Sequence, residues 1–271
     1  MSVNPNRRPS TREYTIVDDN LRTAMRFFGT ATGRGEIAAL PGGVAIWSGL
    51  DYGVFNIAMM DSPPPPGEGL AGRVADAALY FKHRTPRWSF WLCEDYLDIH
   101  DMRRSRATLS DFGLRPISHP PGMLASTLAP ARGPLPELQI EPVEKPLQQR
   151  SFAEITALAF DIPFPTADTV YAQARAWQGD YKGFLGIADG RVVTIAAMVE
   201  TPESIGVYSL ATHPWERRKG YAEALLRGLI ARSQERTGPR RIVLQSSEAG
   251  YSLYRRLGFR EVTRFTVYLT K

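Results

Sequence analysis

The sequence predicts an α+β fold of the α/β/α type, built as two similar domains, each with a mixed and mostly antiparallel sheet flanked by helices. The chain of 271 residues is long enough for two modest cores. Apolar runs of strand length alternate with helical patterns, and the two halves show a similar succession of them. Proline and glycine crowd residues 130–136, so we place a linker there and expect domains 1–133 and 134–271.

The composition is that of a globular protein and argues against several functional classes. No stretch approaches the roughly 20 consecutive apolar residues of a membrane span. The polar start of the chain lacks an apolar signal core, and a lone cysteine fits a reducing compartment, so we expect a cytoplasmic protein, either a monomer or a homodimer, with no membrane partner. Cys93 lies in an apolar run, which predicts a core residue rather than a nucleophile.

The net charge of +5 comes from arginines that are spread over both halves and mixed with acidic residues. Neither a helix-turn-helix nor an aromatic RNA-binding motif accompanies them, so we expect no specific nucleic-acid partner. Zinc-finger spacing is lacking as well, and we predict no metal site.

The second half has a regular pattern from which its elements can be predicted in order. Asp189-Gly190 separates two apolar runs and is a strong signal for a tight hairpin. The predicted strands are 138–143, 184–188, 192–199, 205–212, 241–245 and a closing pair, 259–262 with 265–269. The predicted helices are 148–160, 166–177, 220–236 and 249–257.

The junction between strand 205–212 and helix 220–236 carries the most informative motif, Arg217-x-x-Gly220-x-Ala222. Glycine and alanine let phosphate oxygens approach the main chain closely, and the first N–H groups of a helix point at whatever lies on its end. Arg217, Arg218 and Lys219 add cationic donors. Taken alone, the motif fits a pyrophosphate site and also a solvated basic turn.

A second motif, Leu253-Tyr254-Arg-Arg-Leu-Gly258-Phe259, follows near the end of the chain. The two motifs, in this order of elements, closely resemble those of the GCN5-related N-acetyltransferase (GNAT) family, and the resemblance covers residues 138–271. It implies tandem GNAT-like domains that use acetyl-CoA as cosubstrate. It also implies a reaction in which a primary amine of a small molecule or peptide attacks the thioester directly.

The resemblance also assigns roles to individual residues. It implies that main-chain groups of Leu210, Ala211 and Thr212 align the pantetheine and polarise the thioester carbonyl. The cofactor would further contact Arg217, Arg218, Lys219, Gly220, Tyr221 and Ala222. Tyr254 matches the tyrosine that protonates the departing thiolate; it could instead be a packed tyrosine bonded to the main chain.

Two positions depart from the family pattern. Ser247 stands where the family often has an asparagine that contacts the cofactor, and Gly206 stands where some relatives have a glutamate base. No general base is therefore evident, although Glu200, Glu203 and His213 lie near the predicted site. This gap favours an alternative function, a non-catalytic acyl-CoA sensor or interaction protein.

We expect the acceptor pocket to be lined by segment 161–166 and by Tyr171 and Trp177, whose aromatic side chains suggest an apolar component but also fit core packing.

The first half repeats the second in weaker form. A strand at 55–60, a helix opened by Gly69-Leu-Ala71 and a strand at 88–92 parallel their counterparts. Pro66 stands in the place of Arg217, and Leu109 in that of Tyr254, so we expect this copy to bind no acyl-CoA. Gly67-x-Gly69-x-x-Gly72 nominally matches a dinucleotide fingerprint, but the prolines before it argue against that interpretation.

Overall fold

The computed structural model describes residues 11–65 and 67–271, and these form one continuous twelve-stranded sheet with helices packed against it. The helices are α1 (Thr11–Ala31), α2 (Gly69–Phe81), α3 (Ile99–Asp111), α4 (Pro146–Phe160), α5 (Phe164–Tyr171), α6 (Tyr221–Thr237) and α7 (Glu248–Arg256). The strands of the first half are β1 (Glu36–Leu40), β2 (Gly43–Trp47), β3 (Ile57–Met60), β4 (Ser89–Cys93), β5 (Leu114–Ser118) and β6 (Pro121–Ala125). Those of the second half are β7 (Gln139–Pro142), β8 (Lys182–Ala188), β9 (Arg191–Glu200), β10 (Ser204–Thr212), β11 (Arg241–Gln245) and β12 (Arg260–Thr270).

The strand order shows that the two halves exchange their last strands. The sheet runs β1-β2-β3-β4-β12-β6-β11-β10-β9-β8-β7, with β5 paired to the outer part of β12. Strand β6, from the first half, lies between β11 and the stretch 260–264 of β12. Stretch 265–270 of β12 in turn lies between β4 and β5 of the first half. Each half therefore contributes a strand to the sheet of the other.

This exchange overturns one predicted element. The prediction of a closing strand pair, 259–262 with 265–269, is wrong because β12 runs without a turn from Arg260 to Thr270. Its second part pairs with β4 and β5 instead of folding back on its first part. Hydrogen-bond partners supplied from 140 or more residues away cannot be recognised in a local pattern.

Most other predicted elements of the second half are confirmed within a few residues. Asp189 and Gly190 both have positive φ, 50° and 71°, as a tight hairpin turn with two left-handed residues requires. The predicted helix 166–177 is shorter than expected: α5 ends at Tyr171 and a 3₁₀ turn covers Ala174–Gln178. The predicted strand 55–60 begins only at Ile57, after a 3₁₀ turn.

Helix α1, which the sequence pattern did not reveal, joins the two halves. Its residues Ala24, Phe27 and Ala31 are buried in a core whose other members come mainly from the second half. The Phe27 ring stacks on the Tyr181 ring with centroids 4.3 Å apart. Each of the buried clusters contains side chains from both halves, so neither half has a core of its own.

The two halves share the same order of elements after their first helices. Antiparallel strands β1, β2 and β3 are followed by α2 and by β4 parallel to β3. Strands β8, β9 and β10 are likewise followed by α6 and by β11 parallel to β10. The boundary at 133/134 remains a prediction, and the predicted match of Pro66 to Arg217 falls on a residue outside the described ones.

Candidate active site

The candidate site lies where strands β10 and β11 separate. They pair in parallel only from Ser204 to Gly206, so the rest of β10 diverges from its neighbour. On its other side β10 carries a bulge, where Ser209 and Leu210 face the single residue Ala196 of β9. Ser209 has a left-handed φ of 46°, a conformation that costs a non-glycine residue about 1–3 kcal/mol and is commonest at functional sites. The Ser209 hydroxyl is bonded to that of Tyr181 at 2.8 Å, which holds the bulge in place.

The loop after β10 presents main-chain donors to the same opening. Gly220 begins helix α6 with φ 88° and supplies no side-chain cap, so the first N–H groups of the helix are left for a ligand. A Cβ at Gly220 would lie 3.1 Å from Cδ of Pro136, so the chain reserves this position for glycine. Arg218 also has a left-handed φ of 64°. Such alternation of backbone conformation near a helix start forms anion-binding concavities.

The loop and the strand line a cavity of about 440 Å³. This cavity, which we call the loop cavity, brings together nine of the predicted cofactor residues with Tyr254. The nine are Leu210, Ala211, Thr212, Arg217, Arg218, Gly220, Tyr221, Ala222 and Ser247. Lys219 is not among the lining residues, and its ammonium is 2.7 Å from a carboxylate oxygen of Glu216. The glycine cradle, the uncapped helix start and the arginines fit the pyrophosphate of a coenzyme A thioester.

Two acidic residues in the lining of the loop cavity offset part of its positive charge. Glu216 accepts from Lys219, and Glu223 is bonded to both Arg227 and Arg256. Burial alone would raise the pKa of Glu223, but the hydrogen bonds from Arg227 and Arg256 outweigh it and the pKa is lowered. Glu223 is therefore a charged anchor that orients Arg256 on the cavity wall.

Tyr254 lies on α7 and is only 8 % exposed. Its ring packs edge-on against Phe259. Within 11–65 and 67–271 its hydroxyl has no hydrogen-bond partner, which argues against the alternative of a tyrosine bonded to the main chain. Burial raises the pKa of the phenol above its ordinary value, so the group keeps its proton at neutral and mildly alkaline pH.

Ser247 is the N-cap of α7, where its hydroxyl accepts a hydrogen bond from the Gly250 N–H at 3.2 Å. An asparagine would cap the helix in the same way. Ser247 thus lies at the expected position, but its oxygen is partly engaged with its own helix.

A second cavity of about 390 Å³ lies on the other side of the bulge. We call it the aromatic cavity. Its lining shares Phe160, Leu210, Ser247 and Tyr254 with the loop cavity, so the two meet at the bulge and at the tyrosine. Of the residues expected to line an acceptor pocket, Ile162 and Tyr171 do so, whereas Trp177 lies in the core and does not.

Much of the aromatic cavity comes from the first half, which sequence reasoning missed. Helix α1 contributes Leu21, Ala24, Met25 and Phe28, and the segments around β3 and β4 contribute Tyr52, Val54, Phe55 and Trp91. No local motif marks these residues, because their role depends on α1 crossing the second half.

The space beside Gly206, where a side chain of β10 could otherwise supply a base, is occupied by Asn20 of α1. A Cβ at Gly206 would lie 1.8 Å from Oδ1 of Asn20, so no side chain fits there. The buried Asn20 amide donates to the Val199 carbonyl and to the Ser204 hydroxyl, and it accepts from the Tyr208 hydroxyl at 2.6 Å. The space in which some relatives would have a glutamate is filled by an uncharged amide of the first half.

The other candidate bases lie elsewhere. Glu200 is bonded to Ser233 and Arg236, and Glu203 pairs with Arg12. His213 lines neither cavity, and its side chain does not cap the 3₁₀ turn that follows. Cys93 is buried, and burial raises the pKa of its thiol to about 12, as a core residue requires.

Within the described residues, His, Cys, Asp and Glu form no group of three that could hold a metal ion. None of the helices described is both long and apolar enough to cross a bilayer.

Comparisons with known proteins relate residues 150–259 to one family model and the whole fold to several solved structures. Residues 150–259 match the model of the acetyltransferase (GNAT) family. A GCN5-related N-acetyltransferase from Kribbella flavida has a similar fold, with a TM-score of 0.67, 17% identity and coverage of 95% of this chain and 95% of that chain. One from Sphaerobacter thermophilus gives a TM-score of 0.56 at 18% identity, over 99% and 96% of the two chains.

A conserved protein of unknown function from Staphylococcus epidermidis also has a similar fold, with a TM-score of 0.61 and 12% identity over 87% of this chain and 94% of that chain. No curated protein matches the chain. The full-length fold is thus shared with solved structures, and the family match covers the part of the chain that forms the loop cavity. Residues 150–259 are thus similar to the acetyltransferase (GNAT) family, and the fold of the whole chain is similar to that of solved GCN5-related N-acetyltransferases.

Proposed function

We propose that the chain moves an acetyl group from acetyl-CoA to the primary amine of a small molecule or peptide. The observation that carries this proposal is the meeting of two cavities at one point. The loop cavity offers anion-binding groups, the aromatic cavity offers room for an acceptor, and Leu210 and Tyr254 line both. An acetyl-CoA thioester held in the loop cavity would therefore face an amine held in the aromatic cavity.

In this proposal each part of the chain has a chemical task. Acetyl-CoA supplies the activated acyl group. The uncapped start of α6 and Arg217 hold the pyrophosphate, and the bulge of β10 directs main-chain donors at the thioester oxygen, where negative charge develops. Holding the thioester and the amine side by side lowers the entropy cost of their encounter.

The proton that the leaving thiolate needs would come from Tyr254. Burial raises the pKa of this phenol, so it keeps its proton until a base as close as the departing thiolate takes it, and such positioned proton transfer can contribute about 10²–10⁴-fold. The amine would attack in its free form, since no carboxylate or histidine of the described residues lines the aromatic cavity. The C–S bond breaks as the C–N bond forms, and the proton that the nitrogen then loses returns to the Tyr254 phenolate, directly or through water.

We also propose that the first half is a second, degenerate copy of the fold, with domains 1–133 and 134–271. The shared order of elements and the reciprocal position of β6 and β12 support this proposal. The first copy would then supply a wall of the acceptor cavity rather than a second cofactor site.

Two measurements on the purified protein test the activity. Acetyl-CoA at 100 times its dissociation constant should stabilise the fold by about 2.7 kcal/mol, seen as a rise in Tm. Thiol release should then appear with an amine acceptor. No rise in Tm would contradict the cofactor site, and a rise without thiol release over a broad amine panel would favour the acyl-CoA sensor.

A further inference from the structure

The aromatic cavity is uncharged throughout. Among its described lining residues there is no Asp, Glu, Lys, Arg or His. Aromatic rings surround it on several sides, and they come from Phe28, Tyr52, Phe55, Phe160, Tyr171 and Tyr181. A carboxylate pair is the feature that would hold a second or third ammonium group of a polycation, and the cavity offers none. A ligand body that carries further charges would lose its hydration without gaining partners.

One carboxylate lies outside the cavity but close to a residue of its wall. Asp161 is exposed and does not line it. Burial, and after it the charge of Asp161, raises the pKa of the Tyr52 phenol, so this carboxylate lies near the Tyr52 side of the cavity. Because Asp161 is not a lining residue, it adds no carboxylate to the cavity wall.

The same cavity wall contains polar atoms without partners. Both amide atoms of Gln245, the hydroxyl of Thr156 and the indole nitrogen of Trp91 are buried and make no hydrogen bond within 11–65 and 67–271. All three residues line the aromatic cavity. Buried polar groups are nearly always satisfied, so an unpaired set beside a cavity indicates a ligand with hydrogen-bonding groups of its own. Gln245 offers both a donor and an acceptor.

We infer that the acceptor is a primary amine on an uncharged, mainly aromatic or aliphatic body, with at least one neutral hydrogen-bonding group that meets Gln245. This inference rests on the proposed function, because it takes the aromatic cavity as the acceptor site. The volume suits a body of arylalkylamine size, and the ring-rich lining suits a flat apolar surface. Polyamines and aminoglycosides fall outside this class.

Thiol release from acetyl-CoA with four amines tests the class. Tyramine and 2-phenylethylamine have uncharged bodies, and spermidine and kanamycin carry further ammonium groups. We expect kcat/KM at least tenfold higher for the first two than for the last two, and higher for tyramine than for 2-phenylethylamine. Preference for spermidine or kanamycin would overturn the inference.

A matched pair of variants at Val54 sharpens the test. Val54 lines the aromatic cavity and is 37% exposed, so a polar side chain there need not disrupt the core. Val54→Asp adds the missing carboxylate, and Val54→Asn has the same shape without the charge. The ratio of kcat/KM for spermidine to that for 2-phenylethylamine should rise at least fivefold in Val54→Asp relative to Val54→Asn. An unchanged ratio would show that acceptors do not use this cavity.

Gln245→Leu tests the hydrogen bond with little change in volume. We expect the advantage of tyramine over 2-phenylethylamine to disappear, while the rise in Tm with acetyl-CoA is kept. A retained advantage would remove Gln245 from acceptor recognition.

A binding measurement separates this inference from the proposed function. The product analogue N-acetyltyramine should raise Tm in the absence of acetyl-CoA, whereas N1-acetylspermidine should not. If acetyl-CoA fails to bind, the proposed function fails. If acetyl-CoA binds but N1-acetylspermidine is the stabilising ligand, only the acceptor class is wrong.

Discussion

The chain has two strand–helix junctions of the same topology, β3 to α2 and β10 to α6. The first junction is closed and the second is open. At the second junction, β10 separates from β11 after Gly206 and a bulge widens the gap. At the first, the short β3 stays paired with β4 from Ile57 to Met59. Side chains cover the carboxyl end of β3, so this end is not open to a ligand.

The closure of the first junction is a buried polar network. Arg22 of α1 forms an ion pair with Asp18, whose side chain is 1% exposed, and lies 3.3 Å from the Tyr96 hydroxyl. That hydroxyl donates to Asp18 at 2.7 Å and lies 3.2 Å from the Asp61 carbonyl oxygen just beyond β3. The same arrangement of strand and helix can therefore leave room for a ligand or be filled by side chains. At the first junction, the side chains of the neighbouring helix α1 fill it.

The largest expected effect comes from the tyrosine that only the open junction has. Tyr254→Phe should lower kcat about 10²–10⁴-fold if the phenol supplies the thiolate with a proton. The affinity for acetyl-CoA should change less than threefold, because the ring is kept. Steady-state kinetics and calorimetric titration measure the two quantities.

Tyr251→Phe is the control, since Tyr251 lies on the same helix and its hydroxyl is bonded to Glu261 instead. Equal turnover of wild type and Tyr254→Phe would exclude the acid role.

The second-largest effect is expected on stability, in the buried network of Arg22, Asp18 and Tyr96 that closes the first junction. Arg22→Met leaves the buried Asp18 carboxylate without its partner, which should lower the free energy of unfolding by about 3–5 kcal/mol. Urea denaturation measures it. Arg26→Met, one turn further along α1 at an exposed position, should cost far less. Similar losses for both variants would show that the network does not hold the first junction closed.

A third prediction compares the two glycines that open α2 and α6. Gly220→Val forces a β-branched residue to a φ of 88° beside Pro136, so the loop should shift and acetyl-CoA should bind at least tenfold more weakly. Gly69→Val faces a similar strain at φ 62°, and it should lower stability without changing acetyl-CoA affinity. Weaker binding in Gly69→Val would place a cofactor contact in the first half.

A smaller effect is expected at the cations of the loop. Arg217→Ala removes a side chain that lines the loop cavity and should weaken acetyl-CoA binding about three- to tenfold, more at low salt. Lys219→Ala removes an ammonium that is paired with Glu216 and does not line the loop cavity, so binding should change less than twofold. A larger effect of Lys219→Ala would mean that its pairing with Glu216 breaks when the cofactor binds.

The smallest expected effect concerns the dependence of kcat/KM on pH, in which we expect no decrease on the alkaline side. Burial raises the pKa of Tyr254, so loss of its proton, and with it the acid, moves to higher pH. Between about pH 6 and 9, kcat/KM should rise steadily as a growing fraction of the acceptor amine loses its proton, without a fall at the alkaline end. A fall below about pH 9 that is lost in Tyr254→Phe would contradict the raised pKa.

The amino-acid sequence by itself determined the local features of this protein. Asp189-Gly190 set a hairpin, and Gly220 with Ala222 set an open helix start, because turn chemistry and helix ends depend on neighbouring residues only. It also located Tyr254 on the short helix that the structure shows.

Only the tertiary structure decided which strands and side chains from elsewhere in the chain contact these local features. The exchange of β6 and β12, the left-handed Ser209 and the filling of the Gly206 position by Asn20 all depend on partners far away in sequence. Strand pairing and side-chain packing are non-local, and a local pattern of apolar residues fits many partners equally well. The first half thus looked degenerate in sequence, while in space it forms a wall of the aromatic cavity.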